Sequence, residues 1–334
     1  MNSTAQNLAS GTAFLAELRE RIGTVLVGQE QLLDGMLIGL LTGGHILIEG
    51  LPGLAKTLAV KLLAQAVGGS FARLQFTPDM LPSDIVGSTV YRPEDQSFAV
   101  KIGPLAANIV LADEINRAPA KTQSALLEAM QEHQVTIGSE TIAMPEPFLV
   151  IATQNPLEQA GTYPLPEAQK DRFLLRLKLS YPNRAEERLI LTRMGCTAPA
   201  HSVPPVISPD RILSARALLD AVHVAPVLHE YLLDLIIATR PGEGRHLSEH
   251  QQGLSFSAAE HLETGASPRA AIALLLAGKA MALLRGRDYL LPEDLQAVLP
   301  WVLAHRLVLN FTAEAAGLTA EDLCAQLLRA VRTP

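Results

Sequence analysis

The stretch Ile46-Leu47-Ile48-Glu49-Gly50-Leu51-Pro52-Gly53-Leu54-Ala55-Lys56-Thr57 constrains this chain more than any other. An apolar run breaks into a glycine-containing loop and closes on Lys-Thr ahead of an amphipathic run, Leu58 to Val67, so the pattern predicts a strand, a tight loop and a helix. Such a loop turns several backbone N–H groups inward at a helix N-terminus, where the dipole favours anions. Gly50 and Gly53 free the backbone, Lys56 brings a charge for the β- and γ-phosphates, and Thr57 offers a hydroxyl to magnesium. Gly50, Pro52, Gly53, Leu54, Ala55, Lys56, Thr57 and Leu58 are thus the expected nucleotide-binding residues, with ATP and Mg2+ as the expected ligands. The strict pattern G-x-x-x-x-G-K-[ST] would carry glycine at position 55, where alanine stands. An ordinary strand-to-helix turn also fits the stretch taken alone.

A second stretch favours the nucleotide reading. Asn108-Ile109-Val110-Leu111-Ala112-Asp113-Glu114 reads as a buried strand that ends on two adjacent carboxylates. In a phosphate-loop enzyme the first acid holds magnesium through water and the second polarises the attacking water, and Asp113 and Glu114 suit those two tasks. A strand that simply meets solvent on polar residues explains an isolated Asp-Glu equally well. A third apolar strand, Phe148 to Thr153, ends on Gln154-Asn155-Pro156, where Asn155 is a candidate to hold the attacking water; an Asn-Pro turn is the alternative.

At 334 residues, the chain suits two domains or one large domain with a lid. Apolar residues make up 48%, aromatics 4% and charged residues 18%, which fits α/β and all-α packing better than a sandwich. The mean hydropathy of +0.21 raises the question of a membrane span. The longest apolar runs, Met36 to Ile48 and Ala271 to Leu284, fall short of the ~20 residues needed and carry His45 or Lys279. No signal-peptide pattern is present, and a cytoplasmic location is expected. The net charge of −7 and pI near 5.7 argue against a broad nucleic-acid surface. Cys196 and Cys324 stand far apart in no metal-ligand spacing and read as reduced structural thiols.

Along the chain, helical periodicity covers Phe14 to Ile22, about Gln31 to Leu41, and Leu58 to Val67, with Val25 to Glu30 as a turn. Phe71 to Phe76 alternates as the second strand of the sheet, and Phe173 to Leu179 reads as the fifth. Ile85 to Tyr91 and Phe98 to Ile102 read as a hairpin that interrupts a helix, and Val135 to Ile137 with Thr141 to Ala143 as a second hairpin. Arg184 to Met194 is helical, and prolines 199, 204, 205 and 209 mark a connector. Beyond it the apolar periodicity is helical throughout, at Ile212 to Val222, Val227 to Thr239, Pro268 to Leu284 and Pro292 to His305. The composition shift sets the expected domains at 1–181 and 182–334, and the polar segment from Arg240 to Gly265 reads as a mobile loop.

With these residues in hand, the chain resembles the MoxR-type AAA+ ATPases from about Ile22 to Asp322. The phosphate loop, Leu111-Ala112-Asp113-Glu114-Ile115-Asn116-Arg117-Ala118-Pro119, Ala152-Thr153-Gln154-Asn155-Pro156, Gln169-Lys170-Asp171-Arg172-Phe173 and Gly265-Ala266-Ser267-Pro268-Arg269-Ala270 carry the resemblance, in that order. The family's loop commonly has Ala-Lys-Thr where Ala55 stands. The resemblance implies an α/β fold: a five-stranded parallel sheet in the order 5-1-4-3-2, two β-hairpin insertions, in the second helix and before the Asn155 strand, and a C-terminal all-α lid. It implies that Lys56 and Thr57 meet phosphate and magnesium, that Asp113 is the magnesium acid and Glu114 the catalytic base. Asn155 would be the first sensor, Arg172 a finger reaching a neighbouring subunit's nucleotide, and Arg269 the second sensor on the lid. Val27 and Gly28, ahead of the first strand, would line the adenine pocket, and Arg117 is a further arginine that could act in trans.

The function so implied is an ATP-hydrolysing, chaperone-like motor that forms a ring, expected to be a homo-hexamer. It would remodel or mature a protein client, with metal or cofactor insertion and a von Willebrand factor A domain partner as the resemblance suggests, and neither nucleic acid nor a membrane span is expected. A chelatase-like or DNA-remodelling motor, a nucleotide-switched scaffold and a small-molecule kinase are the alternatives. Net acidity weighs against DNA, and a kinase would leave the hairpins and Arg172 without a role.

Overall fold

The apolar runs expected as strands do assemble into one sheet. The computed structural model describes residues 2–94, 96–155, 162–197, 202–243, 246–251 and 256–334. Its strands are β1 (Ile46–Glu49), β2 (Phe71–Gln75), β3 (Gly87–Arg92), β4 (Ser97–Ile102), β5 (Ile109–Asp113), β6 (Gln134–Ile137), β7 (Glu140–Ala143), β8 (Leu149–Gln154) and β9 (Leu175–Lys178). Five of them form the sheet β9-β1-β8-β5-β2. Numbered along the chain, the sheet reads fifth, first, fourth, third, second. Ile46 lies opposite Ile151, Ile109 opposite Leu149, and Gln75 opposite Asp113, all in parallel register. This register brings Glu49, Gln75, Asp113 and Gln154 to the same, carboxyl-terminal rim of the sheet, where open α/β sheets form their clefts.

Burial explains the sequence patterns. β5 is buried along its whole length and β8 along all but its last residue, as apolar runs covered on both faces must be. β2 and β9 are the two edge strands, and both carry charged side chains among their apolar residues. Helices α1 (Asn2–Gly23), α2 (Glu30–Thr42), α3 (Lys56–Val67), α4 (Pro82–Val86), α5 (Ala120–Glu132), α6 (Glu167–Lys170) and α7 (Arg184–Met194) accompany the strands. Leu126, Leu127 and Met130 of α5 pack with Val110, Phe148 and Val150 in one core cluster. His45, 4% exposed, is a structural member of this layer. The Val150 N–H donates to its Nδ1 at 3.0 Å, so Nε2 carries the proton and donates to the Met130 carbonyl at 2.9 Å.

Both expected hairpins form, β3 with β4 and β6 with β7, each antiparallel. The first does not interrupt a helix, however: α4 ends at Val86 and no helix follows between Ile102 and Ile109. Gly103 N–H donates to the Val86 carbonyl at 2.9 Å and Leu105 N–H to that of Ile85 at 3.1 Å, so the returning chain closes against the end of α4 as a turn. Pro104, which lacks an N–H, sits in that turn.

Contacts divide the chain into two compact units, one of residues 14–173 and 177–214, the other of residues 215–334 with 1–13 and 174–176. The composition shift at 181/182 and this division do not coincide. α7 and the connector belong with the sheet, because Ile190, Leu191 and Met194 line a cavity together with Leu26, Val27 and Leu58.

In the other unit, after α8 (Pro209–Asp220), which begins before the division, come α9 (Pro226–Ile237), α10 (Ala258–His261), α11 (Pro268–Leu284), α12 (Pro292–Leu303), α13 (Phe311–Ala315) and α14 (Ala320–Ala330). A two-stranded ribbon, β10 (Leu262–Thr264) with β11 (Val308–Leu309), interrupts what the periodicity predicts as wholly helical. The segment 240–265, read as a mobile loop, is anchored at Ser248 and Gln251. Asp234, buried in α9, accepts from the Ser248 N–H at 2.8 Å and hydroxyl at 2.6 Å. The Gln251 amide pairs with both backbone groups of Arg332. These partners lie 14 and 81 residues away, beyond the reach of local periodicity. Gly244 and Gly253 lie outside the described residues, as do Pro156 and Pro199.

Candidate functional site

The loop between β1 and α3 has the conformation that its glycine pattern demands. Gly53 adopts φ +86°, and Ala55, the residue that caps α3, adopts φ 56° and ψ 21°. This left-handed conformation is the one a glycine takes without cost, which is why the common pattern has glycine at that position. Alanine departs from the pattern in residue type and keeps it in geometry. The Gly50 N–H donates to the Gln154 carbonyl at 3.3 Å, tying the loop to the end of β8.

Lys56 opens α3 and folds back over the loop, its ammonium donating to the Gly50 carbonyl at 2.8 Å. Partial burial lowers its pKa, and the charges of Asp113 and Glu114 oppose that shift. The lysine therefore lies within the field of both acids that end β5. Thr57 follows in the first turn of α3, Leu54 is buried beneath the loop, and Pro52 and Leu58 line the cavity beside it.

Each acid is held by partners from neighbouring strands. Asp113 accepts from the Thr153 hydroxyl at 2.6 Å on Oδ1 and from Arg73 at 2.7 Å on Oδ2. Thr153 in turn accepts from the Glu114 N–H at 2.9 Å, so one buried hydroxyl spans both acids. Glu114 has a left-handed backbone, φ 58°, which turns its side chain off the strand direction. Its Oε2 accepts from Gln75 at 2.8 Å and Arg117 at 3.0 Å. Arg73 also donates to the Gln75 side-chain oxygen at 3.0 Å, closing a chain of contacts from Asp113 through β2 to Glu114.

Asn155, 9% exposed, directly follows β8, next to the β1 rim. Val27 lines a cavity of about 700 Å³ with Pro52, Leu58, Tyr181, Ile190 and Met194, large enough for a purine nucleoside. Gly28 lies behind that wall, at φ +71°, where an added Cβ would stand 2.7 Å from the Glu186 carboxyl group. Glu186 and Asn183 cap the N-terminus of α7, so this glycine lets the wall and the helix end approach. Arg172 follows α6 and is half-buried, with no side-chain hydrogen bond or ion pair among the described residues. Arg269 lies exposed in the first turn of α11, in the other unit. There an added Cβ at Gly265 would stand 2.2 Å from the Thr239 carbonyl oxygen. The sensor-like string can take only glycine at that point.

Thus Lys56, Asp113 and Glu114 converge and Asn155 stands at the neighbouring strand end, whereas Arg172 follows α6 in the same unit and Arg269 belongs to the other unit. Sequence reasoning missed Thr153, Arg73 and Gln75. The signal for the last two was their i, i+2 spacing on a strand, which puts both side chains on one face.

The comparisons agree with this architecture. The model of the ATPase family associated with various cellular activities (AAA) matches residues 45–175, and that of the AAA lid domain matches residues 255–327. "Chaperone MoxR1" of Mycobacterium tuberculosis is 45% identical over 330 residues, covering 99% of this chain and 85% of that protein. "Protein MoxR" of Paracoccus denitrificans is 31% identical over 315 residues, 91% of each chain. A crystal structure of a protein from Cytophaga hutchinsonii superposes with TM-score 0.89 at 43% identity, over 98% of this chain and 97% of that one. A strand-loop-helix closing on Lys56, a strand ending on two acids, an AAA lid and full-length relatives place this chain in the MoxR family of AAA+ ATPases.

Proposed function

We propose that this chain binds and hydrolyses ATP with Mg2+, and that it works as a ring-forming, chaperone-like motor. The observation that carries the reading is the convergence of Lys56 with Asp113 and Glu114 at the mouth of a glycine loop. An ammonium poised between a helix N-terminus and two carboxylates suits a ligand that brings phosphate for the lysine and a cation for the acids. The donors fit a hard divalent ion, because the Thr57 hydroxyl and the Asp113 carboxylate are both oxygen ligands. Thr57 and Asp113 would hold the ion, which when bound would supply positive charge against that developing on the phosphates.

The chain's own groups divide the remaining work. Lys56 exchanges its bond to the Gly50 carbonyl for phosphate oxygens, and Val27, Leu58 and Tyr181 offer apolar surface to the base. Glu114 leaves Gln75 and Arg117, then takes the proton of the attacking water, which the Asn155 amide holds. In this reading the Glu114–Arg117 pair is a resting arrangement within one subunit. The unengaged guanidinium of Arg172 supports a role toward a neighbour's nucleotide, and Arg269 a role as second sensor. The lid match and the two hairpins support a homo-hexameric ring that remodels a protein client, with a von Willebrand factor A domain partner and metal or cofactor insertion as the proposed setting. Among the described residues no helix is long and apolar enough to cross a membrane.

The test uses three variants of the full chain. Glu114→Gln should bind ATP and lose about 10² to 10⁴ in turnover. Arg172→Ala should bind ATP and lose about 10³ or more, and mixing it with Lys56→Ala should restore part of the activity, because the Lys56→Ala subunit lends its arginine to an intact pocket. Phosphate release that stays near the parent rate in Glu114→Gln, or mixed rings that remain inactive, would overturn these assignments.

A further inference from the structure

The Arg73–Asp113 pair is not needed to position the acid. Asp113 sits at the end of a fully buried strand, and its Oδ1 is already fixed by the buried Thr153 hydroxyl at 2.6 Å. Arg73 approaches the other oxygen, Oδ2, from an edge strand at 2.7 Å, with its own side chain 48% exposed to solvent. The same terminal nitrogen also donates to the Gln75 side-chain oxygen at 3.0 Å. A guanidinium on that oxygen stands where positive charge is wanted when the site is empty, and where it is unwanted once a dication arrives. Like charges that close repel, and a carboxylate shared between the two binds each more weakly.

We infer that Arg73 is a built-in competitor of the divalent ion at Asp113, raising the free Mg2+ that the site requires before it holds a nucleotide-bound ion. This rests on the ATP reading above. Before an ion binds, the guanidinium would balance Asp113, and it would give up that oxygen when Mg2+ arrives with nucleotide. The competition is mild, since an ion pair whose arginine is half-exposed is screened by solvent. Arg73 therefore tunes metal demand through Asp113 and is distinct from the groups that meet the reacting atoms.

The experiment measures binding of a fluorescent, non-hydrolysable ATP analogue to the full chain across a series of free Mg2+ concentrations and in EDTA. Arg73→Gln and Arg73→Met should lower the half-saturating Mg2+ by about two- to fivefold, the worth of a half-exposed ion pair. Arg73→Lys, which keeps the charge, should stay near the parent. Affinity in EDTA should be unchanged, because on this inference Arg73 acts only through Asp113. A merely structural arginine would leave the Mg2+ dependence unchanged or weaken it, and either result overturns the inference. An EDTA affinity that falls with Arg73→Met would assign the guanidinium to phosphate and overturn it as well. If the parent binds no analogue at any Mg2+, the ATP reading fails and this inference with it; a binding parent with unaltered variants overturns the inference alone.

Discussion

Replacing Ala55 with glycine should stabilise the nucleotide-free protein. A residue with a Cβ held in the left-handed region costs roughly 1–2 kcal/mol relative to one without. Ala55 is exposed, so losing its methyl group uncovers little apolar surface. Glycine's larger freedom in the unfolded chain returns roughly 0.5–1 kcal/mol of that gain. The net is about 0.5 kcal/mol in favour of glycine, or about 1–2 °C in the melting temperature of a unit of this size. Two units can melt separately, so the assay is calorimetry of the full chain, with the transition of the loop-bearing unit identified by its shift on adding nucleotide. Ala55→Val supplies the opposite control: a β-branched side chain tolerates φ near +56° poorly and should melt lower than the parent. Nucleotide affinity in Ala55→Gly should be kept, because the loop already has the shape glycine would give it. A glycine variant less stable than the parent by more than about 0.5 kcal/mol, or a valine variant as stable, would refute strain at this residue.

Three further outcomes follow from single contacts. Lys56 has its pKa lowered chiefly by burial, so between its folded and unfolded values the unfolded chain binds more protons and the nucleotide-free protein gains stability as pH rises. Phosphate needs the charged form, so nucleotide affinity should fall on the alkaline side at a pH below the ordinary lysine range, as a titration of affinity from neutral to alkaline pH would reveal. Gly265→Ala must push a Cβ against the Thr239 carbonyl, 2.2 Å away as built, and should cost about 1–3 kcal/mol in chemical denaturation while leaving the phosphate loop's own residues untouched. Asp294, fully buried, bonds Arg285, Arg287 and the Leu291 N–H; Asp294→Ala should cost about 3–5 kcal/mol, and a melting temperature near the parent's would show these bonds to be dispensable.

The fold was legible where its determinants are local. Strands β1, β5 and β8 are buried on both faces and therefore read as unbroken apolar runs, and the two hairpins announced themselves by alternation around Pro93-Glu94 and Gly138-Ser139. The helix periodicities of Pro268 to Leu284 and Arg184 to Met194 match α11 and α7 to the residue. What escaped was long-range pairing. Asp234 with Ser248 and Gln251 with Arg332 turn a polar, glycine-bearing stretch into anchored chain, and polarity alone looks the same in a loop and in a segment that spends its polar groups on distant backbone. The limit of α7's domain was equally hidden, because composition reports what a helix contains and not which sheet it packs on.

The site divides the same way, between residues whose chemistry marks them and residues that matter only through a neighbour. Lys56, Thr57, Asp113 and Glu114 could be named because few folds place a lysine after a glycine loop, or two acids at the end of an apolar strand, without using them. Thr153 looked like the last residue of an apolar strand, and only the register of β8 beside β5 shows that its hydroxyl reaches one acid's side chain and the other's backbone. Arg73 and Gln75 are the exposed residues of the alternating strand Phe71 to Phe76, and exposure alone gives them no role. Their importance comes from the parallel pairing that sets Gln75 opposite Asp113, a relation between residues 38 apart in the chain. The groups expected to act on phosphate are thus written in local motifs, whereas the groups that restrain them at rest are written in the topology. Substitutions in the first set should abolish turnover, and substitutions in the second should change the conditions under which turnover begins.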